Sequence, residues 1–351
     1  MKINPKKIIK ITLFSIVSIL GLLVLFLIFA YFYSNNIVKK TGKDVPYFFK
    51  TAISAYKQNP YKDTKAINFL ILGLDKRDDL LEKNENTDTI ILASVNTENS
   101  KINLISFPRD LWNYDLKMKI NGIYPLSIKE NKSFDFLQTE YQKIFDQEIN
   151  KTVVITTNNL IDLVNTIGGV DVYLEKGFKD EQYPNQAYIN NPKSDAPIYK
   201  TVEFSTGSNH LDQSNITEFV RSRKGIDVTG QEVTDVGRIL RQQLLIESIM
   251  AKIRSKDFIE NSSNIVNLYN FWHKDISTNI TDFDIIALGL KLKSKINLLS
   301  INKINIPIGN TPKEGLIYHP EITNFTKQWI YVPSKPNDYS QIQDFIKNSL
   351  N

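Results

Sequence analysis

From Ile11 to Tyr33 the chain carries no charged residue and is dominated by Leu, Ile, Val and Phe. As a helix rising ~1.5 Å per residue this stretch is about 34 Å long, enough to cross a hydrocarbon core of ~30 Å. Tyr31 and Tyr33 close it, where an interfacial aromatic belt places such rings. A cleaved signal peptide has a shorter apolar region and a small-x-small site, and neither is evident. The pattern therefore favours an uncleaved transmembrane helix over residues 11–33. Lys2, Lys6, Lys7 and Lys10 precede it, while Lys39, Lys40 and Lys43 follow. The small basic excess before the span points residues 1–10 to the cytoplasm and the bulk of the chain to the outside.

Residues 34–65 are polar and mixed, a linker or juxtamembrane segment. Within it Pro46, Tyr47, Phe48, Phe49, Ile53 and Tyr56 are spaced as in an amphipathic helix. Such a helix either lies on lipid or packs on the next domain, and packing is the preferred reading. Three short apolar runs follow: Ile67–Gly73, Thr89–Val95 and Ile102–Phe107. Their length and β-branched content predict buried strands, with a polar hairpin turn over Asn96–Lys101 between the last two. Val153–Ile155 predicts a strand entering a helix over Asn158–Ile167. Gly168-Gly169 ends that helix, and Val170–Leu174 follows as a strand. Glu175–Ser208 is polar, carries three prolines, and is expected to be loop or insertion. Leu211–Val220 and Gly237–Ser255 read as helices, and a last helix is expected near Tyr339–Leu350. Strands flanked by helices predict one α/β domain over residues 66–351, an α-β-α sandwich with a central mixed sheet.

Composition narrows the chemistry. The 351 residues contain no cysteine, which removes disulfides, thiol nucleophiles and thiolate metal sites. The three histidines, His210, His273 and His319, show no metal-ligand spacing, and no G-x-S-x-G elbow accompanies them. They are expected to be surface or structural. The net charge of +5 is spread along the chain rather than striped, so an anionic partner is compatible and no nucleic acid is expected.

What remains is a set of arginines and aspartates near predicted element ends. Asp75 follows the first strand and Asp88 precedes the second. If those strands are antiparallel neighbours, both carboxylates share one sheet edge, where they either shape turns or hold Mg²⁺. Arg109 follows Pro108 at the end of the third strand. Arg221 and Arg223 lie where the helix ending near Val220 gives way to extended chain. Asp235, Arg238 and Gln242 lie one helical turn apart on one face of the next helix, with Arg241 adding a further donor. Guanidinium forks match paired oxyanions, so the set suits phosphate or pyrophosphate.

Together with the anchor, several pieces stand in a characteristic order. They are Gly73-Leu74-Asp75, Thr87-Asp88-Thr89, Ser106-Phe107-Pro108-Arg109-Asp110, Lys119-Ile120-Asn121, Ile167-Gly168-Gly169-Val170, Leu211-Asp212 leading to Arg221-Ser222-Arg223, and Asp235-Val236-Gly237-Arg238 with Arg241-Gln242-Gln243. In these the chain resembles the LytR–CpsA–Psr family of membrane-anchored cell-wall proteins, over about residues 66 to 255. The resemblance implies an extracytoplasmic phosphotransferase. Such a protein moves a glycan phosphate from a polyprenyl-pyrophosphate carrier to a peptidoglycan hydroxyl. By the same resemblance Asp75 and Asp88 would hold Mg²⁺, with Mn²⁺ an alternative. Arg109, Arg221, Arg223, Arg238 and Gln242 would grip the pyrophosphate, with Asp235 orienting Arg238 or its neighbours. Arg109 and Asp88 would act at the reacting centre, Asp88 as the candidate base. Two departures stand out. Asn86 occupies a position where the family usually has arginine, a contact that Arg77 could replace. The segment from Arg223 to Asp235 is also longer than usual, leaving Asp227 without an assigned place. The other readings are a non-catalytic lipid-pyrophosphate sensor or scaffold, and a lipid-pyrophosphate hydrolase.

Overall fold

The computed structural model describes residues 34–74, 86–193, 195–227, 237–293, 299–321 and 328–350, with 232–233 and 235–236 as backbone. The span expected over residues 11–33 lies outside these. No helix among the described residues is long and apolar enough to cross a membrane.

In chain order the principal elements are α1 (Val45–Lys57), β1 (Ala66–Leu74), β2 (Thr87–Asn96), β3 (Lys101–Phe107), α2 (Phe134–Phe145), β4 (Lys151–Thr156), α3 (Thr157–Thr166), β5 (Val170–Leu174) and β6 (Phe178–Pro184). They continue with β7 (Tyr199–Phe204), β8 (Gly207–Leu211), α4 (Ile216–Arg221), β9 (Gly225–Asp227), β10 (Glu232–Val233), α5 (Asp235–Arg254), α6 (Ser262–Asp275), β11 (Ser277–Thr278), α7 (Asp282–Leu292), β12 (Ser300–Asn305) and α8 (Ser340–Leu350).

The central sheet runs β11-β4-β1-β2-β3-β12. β1, β2 and β3 are antiparallel neighbours, while β4 joins β1 and β12 joins β3 in parallel, so the sheet is mixed. Both of its faces are apolar, which is why the strands read as unbroken hydrophobic runs. Leu70, Leu72, Ile90, Leu92 and Ile105 pack with Tyr141 and Phe145 of α2 and Ile342 and Ile346 of α8. Ile91, Ala93, Ile102 and Leu104 turn to the other face, toward Ile246 and Met250 of α5. Thr156 caps α3 through a reciprocal box with Asn159, which satisfies two donors where strand passes into helix.

Two expectations needed correction. The stretch Glu175–Ser208 is not loop. Phe178, Asp180 and Tyr183 of β6 are buried, and β6 and β7 form a small sheet with β9 and β10. The prolines sit at the end of β6 and in the connection to β7, where no ladder donor is lost. Leu211 ends β8, paired with Val170, so the following helix starts only at Ile216. This second core includes Val164, Val172, Phe178, Phe204 and Phe219, and it fixes where α4 ends.

The juxtamembrane helix packs on the domain, as preferred. Tyr47 donates to Asp282 at 2.7 Å, Phe48 meets Tyr269 edge-on, and Ala55 is fully buried against Ala287. Two buried carboxylates hold this corner. Asp282 also accepts from Tyr269 at 2.9 Å and faces His273 at 2.8 Å. Asp284 pairs with Lys151 at 2.7 Å and accepts from Tyr61 at 2.9 Å. Burial pushes the Asp284 carboxyl up, but the bonds from Lys151, Thr281 and Tyr61 outweigh it and leave its pKa lowered. A group lowered in the folded state adds stability above its unfolded pKa near ~3.9, and that stability is lost as pH falls through the folded value. Asp284→Asn is expected to cost about 3 kcal/mol at neutral pH. The urea midpoints of variant and parent should converge as pH falls into the acid limb. An equal gap at pH 7 and at acid pH would rule out ionised Asp284 as the source.

Candidate functional site

The site begins with an irregularity in β1 and β2. Gly73 pairs with Thr89 and Leu74 with Thr87, so Asp88 is the extra residue of a bulge. A bulge turns a side chain away from strict alternation. Asp88 is thereby carried to the same side as Thr89, Ile91 and Ala93, where all four line one cavity. Gly73 is required there: a Cβ would stand 2.9 Å from the Thr89 Cβ.

Three arginines converge on this one carboxylate. Arg109 donates to one Asp88 oxygen, Arg223 Nη2 lies 3.0 Å from the other, and Arg238 Nη1 lies 4.0 Å from it. Each comes from a different element. Arg109 sits in the turn after β3, with its carbonyl held by the Asn121 amide at 3.2 Å. Its neighbour Asp110 is neutralised by Lys119 at 2.7 Å, which gives the Lys119-Ile120-Asn121 motif a role as a clasp on the Arg109 turn. Asp110 also lies 3.5 Å from Arg109 Nε, so the local ion pair and the position at the cavity coexist. Arg221 is the last residue of α4 and Arg223 follows in extended chain. Arg238 is 3% exposed near the start of α5, and Gln242, one turn on, approaches the Val220 carbonyl at 3.4 Å.

The turn carrying Arg223 is pinned from below by a residue the sequence did not single out. Asp180 of β6, 1% exposed, accepts from the Ser222 hydroxyl and from the Arg223 and Lys224 amides at 3.3 and 3.2 Å. Its signal lay in the alternation of Phe178 and Asp180, hidden inside a stretch read as loop. Arg241, expected as a further donor to a ligand, is instead a scaffold. It donates to the Phe219 carbonyl at 2.7 Å and to the Ser222 carbonyl, and it stacks on Phe178 at 4.4 Å. Burial, and then the charge of Arg238, pull its guanidinium down to about 10. Gln243, fully buried, ties α5 to β3 and β12 through Leu104, Ser106, Ile304 and Asn305.

The cavity has a volume of about 1520 Å³ and two unlike ends. Asn86, Asp88, Arg109, Arg221, Arg223, Arg238 and Gln242 line one end, joined by Lys200 and Lys224. The rest of the lining is largely apolar: the inner face of the sheet, Leu245, Ile249 and Ile253 of α5, Leu268 of α6, and Leu288 of α7. From Asp88 to Val95 along β2 the lining extends roughly 24 Å at ~3.4 Å per residue. A drug-sized site occupies roughly 300–1,000 Å³, so this one is larger and elongated. Six cavity-lining cations against three acids (Asp88, Asp180 and Glu218) make its polar end a place for an anion.

Asp75 lies outside the described residues, as does Arg77, and nothing is assigned to the Asp235 side chain. Among the described residues, no group of three or more Asp, Glu or His side chains converges to hold a metal. Mg²⁺ usually takes one or two carboxylates with phosphate oxygens, so Asp88, the carboxylate that the arginines share, suits one part of such a set. Leu74, the residue before Asp75, pairs with Thr87, the residue before Asp88, as expected for antiparallel neighbours. Asp227 pairs in β9 with Phe178 and lies 3.6 Å from Lys176, and β9 pairs antiparallel with β10. No histidine lines the cavity. His273 braces Asp282, His210 faces Asp171, and His319 stacks on Trp329.

The LytR_cpsA_psr family model matches residues 25–329. The chain belongs to the LytR_cpsA_psr family. Among its curated relatives is the polyisoprenyl-teichoic acid–peptidoglycan teichoic acid transferase TagU of Oceanobacillus iheyensis. It is 28% identical over 222 residues, covering 59% of this chain and 58% of the relative. The transferase of the same description from Bacillus subtilis, TagV, is 25% identical over 277 residues, covering 75% and 63%. The chain thus spans about three-fifths of the length of each. The crystal structure of B. subtilis TagV superposes with a TM-score of 0.55 at 17% identity, covering 82% of this chain and 98% of that one, which shows a shared fold.

Proposed function

We propose that this family member transfers a glycan phosphate from a polyprenyl-pyrophosphate carrier to a hydroxyl of peptidoglycan, outside the cytoplasm, while anchored by residues 11–33. The observation that carries the reading is the two-ended cavity. An apolar tube ending in a cluster of arginines is complementary to an isoprenoid tail bearing a pyrophosphate. The names of the related transferases, which pair a polyisoprenyl-linked polymer with peptidoglycan, support the same choice.

In this reading Arg109, Arg221, Arg223 and Arg238, with Gln242, bind the pyrophosphate, and Asp88 holds three of those guanidinium groups in place before substrate arrives. The acceptor oxygen forms a bond to the phosphorus bearing the glycan. The bond from that phosphorus to the bridging oxygen breaks, and polyprenyl phosphate leaves. The charge gathering on the leaving phosphate is met by preorganised arginines, a major contribution to such catalysis. Asp88 is the candidate to take the acceptor proton where the metal does not fully engage it. Asp75 and Asp88 would hold Mg²⁺ or Mn²⁺, which when bound supplies further neutralisation of the pyrophosphate.

The test is to incubate the chain with a polyprenyl-pyrophosphate glycan, Mg²⁺ and peptidoglycan fragments, and to follow release of polyprenyl phosphate. Acceptor-dependent release supports the transferase. Tight binding without release would favour the sensor reading, for which Asn86 at the polar end is the specific feature. Phosphate-ended soluble glycan would favour hydrolysis. The tube itself is tested by Ala93→Trp, which fills its middle. KM for long-tailed donors is expected to rise on the order of tenfold or more, with KM for short-tailed donors little changed. Equal loss with both donors would remove the tail from the tube.

A further inference from the structure

The outer face of α1 is unlike the face that packs. Phe49 is 66% exposed, Ile53 41% and Tyr56 78%. At spacings of four and three residues they form one stripe along the helix. Lys50 and Lys57 are exposed beside them, and Lys39, Lys40 and Lys43 precede the helix. From Lys39 to Lys57 there are five lysines and a single acid, Asp44. The opposite face is fully used by Tyr47, Phe48 and Ala55, so the helix cannot roll to hide its stripe.

We infer that α1 docks on an anionic lipid surface, with Phe49, Ile53 and Tyr56 in the interface and the lysines against the headgroups. The inference rests on the reading of residues 11–33 as an anchor. That apolar stretch ends a short connection before Val45, so the helix cannot stray far from the bilayer. Apolar rings flanked by lysines suit the headgroup–acyl boundary, and the charge complements anionic lipid. The consequence concerns the cavity. α1 packs on α7, whose Ile285, Leu288 and Leu292 line the apolar part. Docking α1 therefore holds the apolar part of the tube beside the lipid from which an isoprenoid tail must come.

The natural absence of cysteine makes a site-specific probe simple. The full chain carrying Ile53→Cys, labelled with a polarity-sensitive fluorophore, is reconstituted in phosphatidylcholine vesicles with and without phosphatidylglycerol. The reference is the same label at Tyr173→Cys, a position 67% exposed on β5. Expected are a blue-shifted emission at position 53 and quenching by shallow spin-labelled lipid about threefold or more above the reference. Both effects should weaken without phosphatidylglycerol and in the Lys50→Glu, Lys57→Glu background. Vesicle flotation with position 53 as open to iodide as position 173 would overturn the docking and leave the anchor standing. Failure to float would overturn both. Shielding from iodide without quenching by lipid would assign the face to a protein, such as a second copy, and also overturn the proposal.

Discussion

Arg109→Ala is expected to lower kcat/KM for acceptor-dependent transfer on the order of 10²–10³-fold, about 3–4 kcal/mol, with little change in the denaturation midpoint. Arg109 and Arg223 both hold the Asp88 carboxylate, yet they approach from separate elements. Deleting one leaves the other to satisfy the carboxylate, so folding is spared. On the proposed function, the pyrophosphate instead loses a fork that is already in position before it arrives. Arg109→Lys should recover only part of the loss, because an ammonium keeps the charge but not the paired donors. The readout is polyprenyl phosphate release across donor concentrations. A rise in KM with kcat unchanged would make Arg109 a binding group alone. No effect on either would remove it from the site.

Asp180→Ala should produce the second large effect, on both stability and transfer. Its carboxylate satisfies the Ser222 hydroxyl and the Arg223 and Lys224 amides, and it also accepts from the Gln182 amide at 3.0 Å. Removing it leaves several donors without that shared acceptor, with an expected cost of about 3 kcal/mol in urea unfolding. The Arg223 turn is held by the same bonds, so kcat/KM per folded molecule should also fall, by tenfold or more in order of magnitude. Asp180→Asn, which keeps the shape and one acceptor oxygen, should restore part of both. Lost stability with unchanged kcat/KM would reduce Asp180 to a structural brace.

The arginines of this chain were legible one at a time. Arg109 follows Pro108, Arg223 lies beyond the end of α4, and Arg238 shares one face of α5 with Gln242. Asp180 was not legible, because its work is to accept from a turn 42 residues further along, and no local pattern encodes that partner. Arg241 was misread for the related reason that charge is visible in a sequence while its burial against Phe178 is not.

By itself the sequence determined the apolar stretch before the domain, the strand runs of the central sheet, the glycine pair that ends α3 and the family to which the chain belongs. These follow from local periodicity and from motifs with fixed neighbours. Tertiary structure alone decided three things. The bulge between β1 and β2 turned Asp88 toward the arginines, because pairing register is a property of two strands together. Packing divided one set of Ile, Leu and Val residues between a filled face against α2 and α8 and a cavity against α5, α6 and α7. Side-chain type is the same on both faces, so nothing in the residues of the strands themselves distinguishes core from tube. Finally, the docking of α1 on α7 decided which of its faces is spent on the fold and which is left to meet another surface.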